Sequence, residues 1–520
     1  MCEPSVMVPS AFSRFVALLV LSAGCGPAPS GPGEGDKGDA EVPSAQAAVE
    51  AIAEPSAPVA VPIPVDPDEG NDVLERLRAS EQASERAFDD RYPNHGITTH
   101  FLARVRALPN ASAPVAGYMR RGSRFRATGR VPGVGCRRGW FEVPGGGFVC
   151  RDEGTLIDDE APEFAPIPVQ PALEDPLPYE YAFARRRNVP QFWRLPSEDE
   201  EERITDMFRN IVRPGSSGAE VSVDAPPAPG SEDEEEARIL PENVTLPDFV
   251  RQRMRAGFYV SIDERNPDEQ SEFLRTVRGG YVREALLDEP TPSRHHGVVL
   301  GGGSRLPLAF TLRDGTHRLR RVGTTRRYES AGTLERHSAI DVAEMIDRNG
   351  SSYLVDGEGY TIRRSAVRIA AAVARPPRVR ETHRWLHISL SEQTLVAYEG
   401  DTPVYATSVS TGREGFETPT GLYRIQSKHV STTMDDLTSE EGAYQIEDVP
   451  WTMYFEGNYA LHTAFWHDQF GRVRSHGCVN LSPADARWVF HWAGPHLPAS
   501  WHAVFADRER VGTWVYITDS

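Results

Sequence analysis

The stretch that decides the fold of this 520-residue chain is Leu461-His462-Thr463-Ala464-Phe465-Trp466-His467-Asp468-Gln469-Phe470-Gly471-Arg472-Val473-Arg474-Ser475-His476-Gly477-Cys478-Val479-Asn480-Leu481. Two of its histidines, His462 and His476, precede Cys478 by sixteen and two residues. A cysteine is a strong nucleophile as a thiolate, and a neighbouring imidazole can accept its proton. Gly477 permits a positive φ beside the thiol, so that backbone N–H groups there can face a developing oxyanion. The pattern therefore favours acyl transfer by a Cys/His pair.

Two other interpretations of Cys478 remain open from these residues alone. His462, His467 and His476 are zinc-ligand types, as is Cys478 itself, so a metal site is one alternative. A small thiol buried in an apolar core is the other. Composition alone does not decide among the three.

A wider set of residues resembles a known family. The run Ser475-His476-Gly477-Cys478-Val479-Asn480, preceded by His462, is similar to the signature of the L,D-transpeptidase catalytic domain of the YkuD type. Residues 385–395 resemble the opening strands of that domain. The runs Ser410-Thr411-Gly412 and Thr418-Pro419-Thr420-Gly421 resemble its central turn. The resemblance covers about residues 381–518.

The resemblance implies a mainly β protein in which residues 381–520 form an L,D-transpeptidase-type β-sandwich. It implies an enzyme with no cofactor and no metal that acts on peptidoglycan stem peptides and forms 3→3 cross-links through a thioester on Cys478. The same site would serve an L,D-carboxypeptidase, with water as acceptor, or an enzyme that attaches a protein to the wall. The long region before this domain suggests an alternative of another class, a non-catalytic wall-binding scaffold.

The resemblance also implies the catalytic roles. Cys478 matches the nucleophile and His462 the general base. The backbone carbonyl of Thr463 would orient His462 and fix its tautomer, as the third member of a triad does. The N–H groups of Gly477 and Cys478 would form the oxyanion hole, with a contribution from His476.

Further residues match positions on the substrate side. Trp466 matches a substrate-side aromatic, with a core tryptophan as the alternative. Arg474 is a candidate for binding a stem carboxylate, with a solvated arginine as the alternative. Ser475 and Asn480 match positions that hold the catalytic loop. Residues 428–447 are polar and lack an apolar period, so they are interpreted as a mobile lid over the cleft.

The N-terminus has the pattern of an export signal. Residues 15–24 are apolar except Ser22, follow Arg14 and precede Cys25. The segment resembles a bacterial lipoprotein signal over residues 1–24, with Cys25 as the acylated residue. An ordinary secretory signal is the alternative, since Ser22 stands where a leucine is usual. We expect an exported, periplasmic or cell-envelope protein that meets the membrane only through a lipid anchor.

The composition shows a net negative charge and an excess of residues that are typical of unpacked segments. The 56 Lys+Arg and 75 Asp+Glu residues give a net charge of −19, which argues against nucleic acid as a partner. The 44 glycines and 42 prolines exceed the usual share of a globular chain. Residues 25–90 are predicted to be a disordered tether, with residues 73–90 as a candidate short helix at its end. Residues 156–245 are predicted to be an acidic linker with irregular structure. Its acidic runs, 197–202 and 226–236, are interpreted as solvated loops.

Short alternating segments predict small β modules before the catalytic domain. Residues 100–155 resemble a bacterial SH3-like barrel, a candidate for binding glycan or cell wall. Further small β modules are predicted over residues 246–380, including a hairpin that turns at Asp356-Gly357.

Four other side chains are interpreted from their surroundings in the sequence. Cys136 and Cys150 flank a predicted hairpin, so in an oxidising compartment we expect a disulfide between them, with two buried thiols as the alternative. His295 and His296 lack further ligand types at metal-binding spacing, so a surface pair is expected.

Overall fold

The computed structural model describes residues 82–151, 153–211, 245–268, 272–325, 327–436 and 444–519. The predicted signal peptide (residues 1–24), Cys25, the second acidic run and most of the predicted tether lie outside these residues. Strands predominate in the described residues, which confirms the prediction of a mainly β protein. No helix in this part of the chain is long and apolar enough to span a membrane.

The first β module (residues 94–158) contains eight short strands: β1 (Asn94–Thr98), β2 (Leu102–Arg106), β3 (Val115–Arg120), β4 (Arg124–Ala127), β5 (Arg130–Val131), β6 (Trp140–Val143), β7 (Gly147–Cys150) and β8 (Thr155–Asp158). Strand β1 pairs with β4 and β8, and β2 pairs with β3 and β7. The expected disulfide between Cys136 and Cys150 is present. The likeness of this module to an SH3 barrel stays a prediction.

The second β module (residues 180–288) begins earlier than predicted. It comprises β9 (Glu180–Ala184), β10 (Val189–Phe192), α1 (Glu198–Ile211), β11 (Val250–Met254), β12 (Tyr259–Arg265), β13 (Phe273–Thr276), β14 (Tyr281–Arg283), a 3-10 helix (Glu284–Leu286) and β15 (Leu287–Asp288). Two strands and a helix therefore lie within residues 156–245. The prediction of irregular structure throughout that segment is wrong.

The first acidic run is the start of helix α1, so its interpretation as a loop is wrong, whereas its side chains are exposed or partly exposed as expected. The Glu200 side chain accepts a hydrogen bond from the Ser197 N–H at 2.9 Å, and the Ser197 hydroxyl accepts one from the Glu200 N–H at 3.3 Å. This reciprocal pair is a capping box, and the acidic side chains of the first turn complement the helix dipole. At the end of the predicted tether, residues 82–91 are helical, in agreement with the candidate short helix over residues 73–90.

The third β module (residues 308–370) follows β16 (Val298–Val299). It contains β17 (Leu308–Thr311), β18 (Thr316–Arg321), β19 (Tyr328–Leu334), β20 (Ala339–Arg348), β21 (Ser351–Asp356), β22 (Thr361–Arg363), a 3-10 helix (Arg364–Ala366) and β23 (Val367–Ala370). The predicted hairpin is confirmed, since β21 pairs with β22. Asp356 shapes its turn by accepting hydrogen bonds from the N–H groups of Glu358 and Tyr360 at 3.0 and 2.9 Å.

The C-terminal domain (residues 384–518) is built on two sheets. Its elements are β24 (Arg384–Ser389), β25 (Thr394–Glu399), β26 (Thr402–Ser408), β27 (Gly421–Arg424), β28 (Ser427–Asp436), β29 (Tyr444–Glu456), β30 (Tyr459–Thr463), β31 (Val479–Leu481), α2 (Pro483–Trp492), β32 (Ala503–Phe505) and β33 (Trp514–Thr518). One sheet has the order β16-β26-β25-β24-β33-β27. In the other, β32, β28, β29, β30 and β31 pair in that order.

Apolar side chains from both sheets and helix α2 form the core of this domain. Leu386 comes from the first sheet, Met453 and Leu461 from the second, and Val489 from the helix; all are fully buried. Helix α2 begins at Pro483, and the hydroxyl of the preceding Ser482 accepts a hydrogen bond from the Asp485 N–H at 3.1 Å. This helix covers the strands that carry the site described below.

A buried ionic cluster joins the first two β modules to the second sheet. We call it the Asp448 cluster. Asp448 on β29 lies 2.9 Å from the guanidinium of Arg120 in the first module and 3.0 Å from that of Arg278 in the second. The Ser261 hydroxyl donates to the same carboxylate at 2.6 Å, and Tyr181 donates to its backbone carbonyl at 2.7 Å. Burial alone would raise the pKa of Asp448, but the two guanidinium charges hold it well below its usual range.

The interpretation of residues 428–447 as a mobile lid is wrong for the part that the structure describes. Strands β28 and β29 form a paired hairpin, and Val430 and Glu447 are completely buried. The ammonium of Lys428 is buried and donates to the backbone carbonyls of Phe490 and Ala493 at the end of helix α2. The described part of residues 428–447 therefore belongs to the core of the domain. Residues 437–443 lie outside the described residues.

Candidate active site

Cys478 and His462 are brought together by neighbouring parallel strands. In the pairing of β30 with β31, Leu461 lies opposite Val479 and His462 opposite Asn480. Cys478 directly precedes β31, and its Sγ lies 3.7 Å from the carbonyl oxygen of Asn458, which directly precedes β30. Residues two apart on a strand point to the same face. The register therefore places the thiol and the imidazole on the same face of the sheet.

His462 is held in one tautomer by its neighbour. Its Nδ1 lies 2.9 Å from the backbone carbonyl oxygen of Thr463. A carbonyl can only accept, so Nδ1 carries the proton and Nε2 has a free lone pair. Burial lowers the pKa of His462 to about 4, although the hydrogen bond to Thr463 acts in the opposite direction. The imidazole is consequently neutral at physiological pH and able to accept a proton.

The thiol is also neutral at rest. Burial raises the pKa of Cys478 to about 11, although a backbone hydrogen bond at Ala460 acts in the opposite direction. Cys478 is the only cysteine in the described residues that is not in a disulfide. The thiol and the imidazole, here called the neutral pair, are therefore both uncharged at rest. Attack by the sulfur then requires a base to remove the thiol proton, and His462 is the candidate on the same face of the sheet.

The loop before Cys478 is fixed by hydrogen bonds of Ser475. Its hydroxyl donates to the Cys478 carbonyl and accepts from the Gly477 N–H at 3.1 Å. Gly477 has a φ of +109°, and a Cβ there would lie 2.5 Å from the ring of Tyr459. Because the Gly477 N–H is already bonded to Ser475, the expectation that it faces an oxyanion is not met in this arrangement.

The two upstream runs that resemble the central turn, residues 410–412 and 418–421, lie against the loop before Cys478. Ser410 exchanges backbone hydrogen bonds with Asn480 at 3.0 and 2.8 Å. The Thr418 hydroxyl donates to the Gly477 carbonyl at 2.8 Å and accepts from the Gly412 N–H at 2.9 Å. Motifs some 60 residues apart in the sequence therefore form one contiguous structure around Cys478.

His476 and Asn480 occupy different environments. The His476 side chain is exposed, lies 3.0 Å from a guanidinium nitrogen of Arg413 and contacts the edge of Phe416 at a ring distance of 4.7 Å. Asn480 is buried, and its side-chain amide lies 3.1 Å from Nε2 of His467. Asn480 and His467 thus support the strand that follows the thiol.

The zinc interpretation receives no support from the geometry. In the ranges that the structure describes, no group of three or more His, Cys, Asp and Glu side chains is arranged to hold a metal ion. His467 is bonded instead to Asn480 and to the Gln469 N–H, the latter at 3.2 Å.

Comparison with known proteins agrees with this geometry. Residues 383–517 match the model of the family described as YkuD, the L,D-transpeptidase catalytic domain. The C-terminal domain of this chain is an L,D-transpeptidase catalytic domain. The chain is 24% identical over 127 residues to a protein of Bacillus subtilis (strain 168) named "Putative L,D-transpeptidase YciB". That match covers 22% of this chain and 63% of the relative, so the chain spans less than two thirds of the relative's length.

Solved structures of similar proteins include two L,D-transpeptidases. One, from Stackebrandtia nassauensis, is 23% identical and covers 26% of this chain and 55% of its own, with a TM-score of 0.19. The other, the catalytic domain from the E. faecium L,D-transpeptidase, is 18% identical and covers 26% of this chain and 98% of its own, with a TM-score of 0.21.

Trp466 of the L,D-transpeptidase domain is half-buried beside His462. The two rings lie 5.9 Å apart and are inclined by only 26°. The Trp466 ring also lies 6.2 Å from the ring of Tyr259 in the second β module. Sequence reasoning missed Tyr259, since it lies about 200 residues before the catalytic motif and belongs to no recognisable pattern.

The loop after His462 is also held by the third β module. Asp468 accepts from the Ser293 hydroxyl and lies 3.0 Å from Nε2 of His337 and 3.3 Å from a guanidinium nitrogen of Arg336. His295, expected on the surface, is buried, and its Nε2 lies 3.0 Å from both the Thr407 and Ser408 hydroxyls. That expectation was wrong because the third module and β26 together cover a side chain that no local pattern marks as apolar.

The pKa values of the pair predict a broad pH plateau for acylation of Cys478. His462 stays unprotonated down to about pH 4 and Cys478 stays protonated up to about pH 11. The second-order rate of acylation by a carbapenem should therefore fall only as acid protonates His462, and stay flat across neutral pH. Stopped-flow rates, with circular dichroism at each pH as the folding control, measure this. An acylation rate that changes with an apparent pKa between about 6 and 8 would contradict the neutral state of the two groups.

Proposed function

We propose that this chain is an exported peptidoglycan L,D-transpeptidase that forms 3→3 cross-links through a thioester on Cys478. The observation that carries the proposal is the orientation of His462. Its Nδ1 bonds to the Thr463 carbonyl, and its strand, β30, pairs with β31, which Cys478 directly precedes. The match to the family model over residues 383–517 supports the same chemistry.

The acylation half of the reaction follows from the neutral pair. The Cys478 sulfur attacks the carbonyl of the third stem residue while Nε2 of His462 takes the thiol proton. In this proposal the backbone N–H of Cys478 donates to the resulting oxyanion, since that of Gly477 bonds to Ser475. His462 then gives its proton to the amine of the departing D-alanine, the C–N bond breaks, and the thioester remains.

Deacylation reverses these roles. The side-chain amine of a neighbouring stem attacks the thioester carbonyl, and His462 accepts a proton from that amine. The C–S bond breaks and the sulfur regains its proton from His462, so the enzyme returns to its starting state. A base with a low pKa is suited to this step because it is unprotonated when the acceptor arrives.

Export is proposed on two grounds. Residues 15–24 followed by Cys25 have the pattern of a lipoprotein signal. The Cys136–Cys150 disulfide is of a kind that forms and persists in oxidising compartments. Acylation of Cys25, a location in the periplasm or cell envelope, and wall binding by the β modules belong to the same proposal.

The product formed from a disaccharide tetrapeptide tests the proposed reaction. The purified full chain should release D-alanine and yield a dimer joined between two third residues. Mass spectrometry with fragmentation identifies that linkage. A tripeptide monomer as the sole product would show an L,D-carboxypeptidase instead, and an unchanged tetrapeptide would favour the non-catalytic scaffold.

A further inference from the structure

His337 of the third β module has a backbone conformation that residues other than glycine seldom adopt. It lies in the turn between β19 and β20, and its φ is +63°. Its N–H donates to the Thr311 carbonyl at 2.9 Å, so the turn is fixed by the neighbouring strand β17. A left-handed conformation costs free energy in a residue with a side chain, and such residues cluster at functional sites. The conformation therefore points to a task for the His337 side chain.

The side chain of His337 is directed at the loop that follows His462. It is only 8% exposed, and its Nε2 lies 3.0 Å from a carboxylate oxygen of Asp468. Its ring lies 5.9 Å from that of Phe470 and 4.4 Å from that of His295. Nδ1 of His337 is buried and has no hydrogen-bond partner among the described residues. The bond to Asp468 is therefore the polar contact that this buried ring is placed to make.

The third β module also holds the backbone of this loop at two points. Arg336 donates to the backbone carbonyl of Asp468 at 2.9 Å, and Arg368 donates to that of Gly471 at 2.9 Å. Gly471 has a φ of +89°, a conformation that favours glycine. These contacts anchor the main chain of the loop, whereas His337 fixes the direction of the Asp468 side chain.

Two residues next to Asp468 contact the strands of the catalytic pair. Trp466, two residues before Asp468, stacks beside His462 at a ring distance of 5.9 Å. His467, one residue before Asp468, has its Nε2 3.1 Å from the side-chain amide of Asn480 on β31. A displacement of Asp468 would therefore move neighbours of both the general base and the strand that follows the nucleophile.

We propose that His337 is a positioning residue that acts through Asp468 on the loop after His462. In this way the third β module holds the imidazole where it accepts the thiol proton of Cys478. The inference rests on the proposed function, because it takes the roles of the imidazole and the thiol from that reaction. Catalysis by a positioned group is sensitive to displacements of about 1 Å, even when the cause lies far from the reacting atoms. A contact outside the C-terminal domain thereby controls the reactivity of the thiol.

Alkylation of the thiol by neutral iodoacetamide tests this role without a peptide substrate. Because Cys478 is a neutral thiol at rest, its alkylation near neutral pH depends on proton removal by His462. We expect His337→Leu to slow alkylation roughly tenfold, since leucine fills the space but cannot donate to Asp468. His337→Gln should recover most of the rate, because its amide N–H replaces Nε2–H as the donor. Both side chains carry the same backbone cost at a positive φ, so the difference between them reports the hydrogen bond.

Two further variants control for stability. His317→Leu makes the same substitution at an exposed position of the third β module and should leave the rate within about twofold of the wild type. Asp468→Asn should slow alkylation as His337→Leu does, and the double variant should be no slower than either single variant, since all three lack the same contact. Circular dichroism and urea-induced unfolding establish that each variant is folded. If His337→Leu does not fold, Asp468→Asn carries the test.

A folded His337→Leu or Asp468→Asn variant that is alkylated as fast as the wild type, or faster, would overturn the positioning role. A loss of rate that His337→Gln does not relieve, or that His317→Leu shares, would overturn it as well, because the loss would then report the stability of the module. These rates do not depend on turnover. A wild-type chain whose thiol reacts as expected but that releases no D-alanine from a tetrapeptide would therefore contradict the proposed function alone.

Discussion

Replacing Cys478 by alanine is expected to reduce release of D-alanine from a tetrapeptide by at least about 10⁴-fold, because no thioester can form. The described residues hold no other free thiol that could take over the attack. The effect should fall on kcat, since the substrate contacts proposed for Trp466 and Arg474 remain. Steady-state kinetics with a D-alanine-coupled assay would measure it.

The matched control for this variant is Val473→Ala. Val473 lies in the same loop and is 56% exposed, so truncating it removes little packing. Its activity should stay within about twofold of the wild type, because exposed substitutions of this kind have small effects. Turnover in Cys478→Ala at the level of this control would contradict the assignment of the nucleophile.

Replacing Asp448 by asparagine is expected to destabilise the folded chain by about 3–5 kcal/mol, the range found when one partner of a buried ion pair is removed. Asparagine keeps the shape of the side chain but leaves the charges of Arg120 and Arg278 without compensation. Arg120 is only 4% exposed, so water cannot replace the lost carboxylate. The first transition in urea-induced unfolding, followed by tryptophan fluorescence, should move to lower denaturant concentration.

An exposed ion pair provides the comparison for Asp448→Asn. Glu329 lies 2.7 Å from Arg320, but the two side chains are 48% and 65% exposed. Glu329→Gln should therefore cost no more than about 1 kcal/mol. Equal shifts in the two variants would show that the Asp448 cluster does not hold the three parts of the chain together.

The catalytic pair could be predicted from the sequence because its determinants are local. His462 and Cys478 lie on adjacent parallel strands joined by a short segment, so their spacing already implies proximity. The hairpin at Asp356 was predictable for the same reason, since turn residues act on their immediate neighbours.

Other features depend on contacts that no local pattern records. Asp448 and Arg120 are 328 residues apart in the sequence. Whether an acidic residue is solvated or buried among arginines depends on which distant segments fold over it. Tyr259 and His295 reach the C-terminal domain in the same way. Helix α1 is a different case, because the signal was present: Ser197 and Glu200 form a capping box, but the density of acidic residues favoured the interpretation as a loop.

The three β modules before the C-terminal domain contact the sheet and the loop that form the candidate active site. The first module pairs with β32 and the second with β29, so both extend the sheet that carries His462. The third binds the loop after His462 through Arg336 and His337. These modules therefore support the candidate active site directly.

Intact-protein mass spectrometry after incubation with a carbapenem, a mimic of the donor for this family, tests most directly whether Cys478 is the acylated nucleophile. We predict one covalent adduct per chain, assigned by peptide mapping to Cys478 and missing in Cys478→Ala. An unmodified wild-type protein, or an adduct on another residue with Cys478 left free, would contradict the account.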